Sequence, residues 1–168
     1  MSDIYLRVRR NPFSATTEMS DVRLTFSDIA VYPTCVLVED GVIVACYEEN
    51  SSVKTLVTGD YGVTTTLATL VAGSAPFIEL DSTNSVIHLS YWDDANSKIS
   101  YNYSTDNLAT LHLEIASIVY NTTVTEQQPS IISYPSGIVI ITFVDESDNI
   151  VSYYSLDHGL TTPWTPVS

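Results

Sequence analysis

The sequence predicts an all-β protein made of about three repeated four-stranded units behind a short N-terminal arm. Three observations carry that expectation. Val, Ile, Thr and Tyr dominate, and no stretch holds the i, i+3, i+4, i+7 apolar stripe of a helix. A pattern of apolar runs and turn residues recurs three times after residue 32. Charge also divides near that point: all four arginines lie in the first 31 residues beside four acids, whereas Tyr32 to Ser168 holds two lysines against sixteen acids. The net charge of −14 therefore belongs wholly to the second part.

Residues 1–31 form the arm, which carries Arg7, Arg9, Arg10 and Arg23. Ile4 to Arg9 alternates apolar and basic side chains, as an extended, half-buried strand does. Three readings fit: an added edge strand, a disordered tail, or a strap whose arginines pair with the acidic body of a neighbouring subunit.

The repeats then occupy 32–73, 74–126 and 127–168. Each has a proline (Pro33, Pro76, Pro129), a short apolar run, a turn, and a stronger run: VIVACY, VIHLSYW and IVIITFV. Paired acids close that second run, as Glu48-Glu49, Asp93-Asp94 and Asp145-Glu146. A third strand ends in a recurring phrase around Asp60, Asp106 and Asp157, which follow the prolines by 27, 30 and 28 residues. Leu108 to Val119 reads as a fourth strand with its approach. A period of about 45 residues carrying four short strands is the size of a propeller blade. Asp40-Gly41 as a two-residue turn sets Cys35 opposite Cys46 in a hydrogen-bonded pair, a poor geometry for a bridge, so two buried free thiols are expected.

The recurring phrase resembles the Asp-box, S/T-x-D-x-G-x-T-W, of the sialidase-like (BNR) propellers. Thr58, Asp60, Gly62 and Thr64 match it, as do Ser155, Asp157, Gly159 and Thr161; the middle copy keeps Ser104, Asp106 and Thr110 but has Leu108 in place of glycine. None ends in tryptophan. The resemblance implies a structural role for these residues, in a turn between third and outer strands and far from any central pocket. Known propellers use about four to eight blades. Three blades would close by oligomerisation, with a partner protein, or with a fourth blade completed by Asp21 to Val31.

The resemblance also implies what is missing. Sialidases hold the substrate carboxylate with three arginines, and no arginine follows Arg23. No catalytic set, cofactor motif or metal-ligand spacing appears; His88, His112 and His158 are scattered. The paired acids recur at one blade position, as structural turn caps would. Beside them stand Tyr47, Tyr91, Trp92 and Phe143, which with Asp93 and Asp94 are either a glycan-binding set or core filling between blades.

Net charge argues against nucleic acid as a partner, no window resembles a membrane span, and no secretory signal opens the chain. The expectation is a non-enzymatic structural or interaction protein made in the cytoplasm. Its composition resembles that of virion proteins of tailed phages, where it would serve in a tail, nozzle, fibre or surface decoration. Its partners would be copies of itself and other virion proteins. The alternative is a lectin-like propeller that recognises a cell-surface glycan, and a glycosidase ranks last.

Overall fold

The computed structural model describes residues 5–9, 19–23, 29–39, 41–112, 118–121, 128–157 and 164–167. They form an all-β protein. A two-stranded hairpin, β1 (Tyr5–Arg9) and β2 (Met19–Arg23), precedes three four-stranded antiparallel sheets. Blade 1 is β3 (Val31–Glu39), β4 (Val42–Glu48), β5 (Ser52–Thr58) and β6 (Thr66–Ala72). Blade 2 is β7 (Ser74–Asp81), β8 (Val86–Asp93), β9 (Lys98–Ser104) and β10 (Ile118–Asn121). Blade 3 is β11 (Ser130–Ser133), β12 (Val139–Val144), β13 (Ile150–Ser155) and β14 (Thr165–Pro166). Strands follow chain order within every blade, the up-and-down meander of a propeller vane.

The arm folds back on itself. In the β1–β2 register Arg7 stands opposite Asp21, Arg9 opposite Met19 and Arg23 opposite Tyr5. Its sheet has two strands only, so among the described residues it adds no edge to a blade and completes no fourth one. Arg10 lies outside the described residues, as do Gly159 and Thr161 of the third Asp-box.

The first strands of the blades, β3, β7 and β11, pack side by side, and β7 touches both of the others. Blade 2 is therefore the middle vane. Alternation along its strands sends two apolar faces in opposite directions. Ile87, Leu89 and Tyr91 face blade 1 and meet Val44, Cys46 and Val53. Trp92, Ile99 and Tyr101 face blade 3 and meet Ile131, Val139, Ile141 and Phe143. Glu48 reaches across from blade 1 to accept the Ala75 amide at 3.0 Å, and Gln128 donates to the Pro76 carbonyl at 2.7 Å.

One sequence expectation fails in the first hairpin. The register slips between Leu37 and Glu39, so Cys35 stands opposite Ala45 and Thr34 opposite Cys46. An extra residue in one strand shifts every partner beyond it. Cys46 is buried in the blade 1–2 seam, where desolvation, partly offset by a hydrogen bond with Thr55, pushes its thiol up to about 12. Cys35 takes the other face and is exposed, so only one of the two free thiols is buried.

A single residue, Gly73, joins blade 1 to blade 2. Its φ of +148° is one that side chains disfavour, and an added Cβ would lie 2.6 Å from the Trp92 carbonyl oxygen and 2.7 Å from the Tyr91 ring. Gly73→Ala is expected to destabilise the protein by roughly 1–3 kcal/mol or more, read from urea unfolding, because neither neighbour can retreat from a packed seam. An unchanged midpoint would show that the junction has slack.

Candidate functional site

The Asp-box turns are built from their hydroxyl residues upward. Thr58, Ser104 and Ser155 end the third strands, and each hydroxyl donates to the aspartate two residues on, at 2.8, 2.7 and 2.6 Å. The same oxygen accepts the backbone N–H of that aspartate in all three copies. In the first two copies it also accepts the N–H of Gly62 or Leu108, four residues on. Asp60 and Asp106 then accept the amides of Thr64 and Thr110, each at 2.8 Å. The loop thus closes on itself through one side-chain pair.

Leu108 replaces glycine at φ +64° where Gly62 has +90°. Its side chain is fully buried against Val44 and Cys46, so packing offsets the strained backbone. The Thr64 amide, followed by the Thr64 and Thr58 hydroxyls, holds the Asp60 carboxyl down to about 2. Ser104 and then the Thr110 amide lower Asp106 in the same way.

The second-to-third-strand turns use a related device. Asp93 accepts the amide and side chain of Asn96, and Asp145 accepts the amides of Ser147 and Asn149. The Asn149 amide, opposed by desolvation and helped by the Ser147 amide, lowers the Asp145 carboxyl. Asp94 accepts the Ser74 hydroxyl at 3.1 Å, and Glu49 pairs with Lys54. Among the described residues no group of three or more His, Cys, Asp or Glu side chains converges as metal ligands would. The Asp-x-x-Asn spacing of Asp81-Asn84 and Asp93-Asn96 is a turn signal readable in the sequence.

The four aromatic candidates do not converge on one open site. Tyr47, Tyr91 and Phe143 occupy the same place in their blades and each is at most 4% exposed; Tyr91 and Phe143 face the preceding blade, and Tyr47 is covered by Ala30 and Tyr61. Trp92 points the other way, into the blade 2–3 seam, at 1%. These rings are core, and the neighbouring strands occupy the faces a sugar would need. Burial pushes both phenols, Tyr47 and Tyr91, upward; Glu49 adds to the first, and Asn102, which donates to Tyr91 at 3.2 Å, opposes the second.

Sequence reasoning missed the polar line inside the blade 2–3 seam. His88 and Tyr101 are both fully buried and bonded Nδ1 to Oη at 2.6 Å, and the Tyr101 ring meets Trp164 edge-on at 5.0 Å. A cleft of about 440 Å³ opens between the outer strands of blade 1 and the second Asp-box. Thr55, Val57, Thr66 and Ala68 wall it on one side, and Asp106 to Ala109 on the other. Its one carboxylate, Asp106, is held by its own turn.

No family model and no curated protein matches the chain. Solved structures do match in shape. A Hadza microbial sialidase, Hz136, superposes with a TM-score of 0.58 and 13% identity, over 83% of this chain and 37% of that one. A triple arginine-to-alanine mutant of AofleA from Arthrobotrys oligospora gives 0.61 and 9%, over 81% and 40%. The catalytic domain of a Coprinopsis cinerea GH62 alpha-L-arabinofuranosidase gives 0.54 and 12%, over 87% and 53%. The fold is that of a sialidase-like β-propeller, and the chain spans about two fifths to one half of these relatives' length.

Two outcomes test these assignments. Trp92→Ala should cost about 3–5 kcal/mol in urea unfolding, as truncation of a buried tryptophan does, and a near-neutral change would contradict its place in the seam. For the boxes, a depressed carboxyl pKa gives stability that is full above about pH 4 and is lost as pH falls through the folded value. The gap in urea midpoint between wild type and Asp60→Ala is therefore widest at neutral pH and closes toward pH 2. A gap independent of pH would sever the link to ionisation.

Proposed function

We propose that this chain is a non-enzymatic structural and interaction protein that assembles through its propeller blades. The observation that carries this reading is where large apolar side chains remain exposed. They are Ile29, Val31, Leu37, Val63 and Leu67 on or beside blade 1, and Ile132, Tyr134, Ile150, Leu156 and Val167 on or beside blade 3. None belongs to β7, β8 or β9 of blade 2. Apolar surface left on the two end blades, and absent from the three inner strands of the middle one, suits a molecule whose ends meet something else.

The residue inventory supports the non-enzymatic part. A sialidase-type site needs guanidinium groups for the substrate carboxylate, and the repeats contain none. Asp93 and Asp145 are engaged in their own turns. Burial of Tyr47, Tyr91, Trp92 and Phe143 removes the residues on which glycan recognition would rest. The finer reading is a virion component of a tailed phage, in tail, nozzle, fibre or surface decoration, with other virion proteins as partners. Its support is the composition: two lysines against sixteen acids in the Thr-, Ser- and Tyr-rich repeats.

Light scattering over a micromolar concentration range tests the reading, with fluorogenic sialosides and arabinosides assayed alongside. A mass above one chain and no turnover are the expected results. A monomer at every concentration, or hydrolysis of either substrate, would refute it.

A further inference from the structure

We infer that a second copy of this chain is what covers the free face of blade 3, with β11 of each copy set beside β3 of the other. This rests on the reading that the chain assembles through its blades, and it names the surface and the occupant. Both internal seams follow one rule: the face a blade turns onward packs on the face its successor turns back. Blade 3 turns Ile131, Val139, Ile141 and Phe143 back toward blade 2. Its onward face carries Ile132, Ile140, Thr142, Val144, Ser152 and Tyr154, paired in register across β11, β12 and β13.

Three features of that face point to a copy of the same chain. It holds no charged residue, although the protein carries twenty acids, so two chains of net charge −14 can meet there without opposing carboxylates. It is open, with Ile132 50% and Ile150 78% exposed, whereas Trp92, Ile99 and Tyr101, at the positions of blade 2 that match Val144, Ile150 and Ser152, are at most 1% exposed beneath blade 3. The matched propellers also hold this fold in longer chains, of which the present one spans 37 to 53%, so two copies amount to roughly three quarters to the whole of such a chain.

Blade 1 supplies the complementary end. Its backward face is already covered at Ile43, Ala45, Tyr47 and Leu56, where Ala30 and Tyr61 pack. On β3 the same face stays open at Cys35 and Leu37, which pair with Ala45 and Ile43. Contact between copies therefore falls on the first strands, as it does between β3, β7 and β11 within the chain. A two-fold axis joins both ends at once and closes the ring, whereas the same heterologous contact without closure would give a filament.

Cys35 makes the test direct, because Cys46 is buried with its thiol pKa near 12 and stays unreactive. Ile132→Cys is treated with a short bismaleimide and run on a denaturing gel, with light scattering before treatment. The expected result is one cross-linked species of two chains, at least tenfold more abundant than in Ile132→Cys/Cys35→Ser, from particles of twice 18.5 kDa. Ser130→Cys, exposed on the same face, repeats the test should Ile132→Cys fold poorly. Cross-linking that survives Cys35→Ser would mean that like faces meet; a ladder of larger species would mean an open fibre. Either result, or an assembly that gives no cross-link, overturns this inference and leaves the proposed function standing. A monomer overturns both.

Discussion

Sheet-on-sheet packing across the seams is the constraint from which the rest of this molecule follows. The middle blade is buried on both faces: in β8, Ile87, Leu89 and Tyr91 are buried one way and His88, Ser90 and Trp92 the other. A four-stranded vane of that kind has no solvent face and cannot rest alone in water. Blade 2 satisfies both demands inside the chain. Blades 1 and 3 satisfy one each in full.

The acidic character follows from turn chemistry. Aspartates sit where hairpins must bend, and their oxygens take backbone amides that the ladder leaves over: Asp60, Asp81, Asp93, Asp106 and Asp145 each do so. Hydrogen bonds to the ionised form lower Asp60, Asp106 and Asp145. Part of the charge that argues against nucleic acid in the sequence reading is thus tied to folding, through these turn aspartates.

Much of this was legible from residues alone, for identifiable reasons. Period-two alternation and the recurring Thr/Ser-x-Asp phrase are local signals, and they led to four-stranded vanes with the boxes between third and outer strands. Other features depend on what lies across a gap. Tyr47, Tyr91 and Phe143 are equally suited to a sugar or to a seam, and only the adjoining blade decides between them. The slip near Val38, which separates Cys35 from Cys46, leaves no mark in composition, because a bulge accepts almost any residue. The hairpin of the arm needed Met19 to Arg23 as a second strand, a segment whose mixed polarity hid it.

Gly73 has a consequence for how such a chain can change length. With one residue between β6 and β7, the angle between the first two vanes is a backbone property, fixed before any side chain is chosen. Growth or loss of residues there would rotate one vane against its neighbour and unseat Tyr91 and Trp92 together. The hairpin turns have no such tie, so variation in this architecture belongs to them, with this junction held to a constant count.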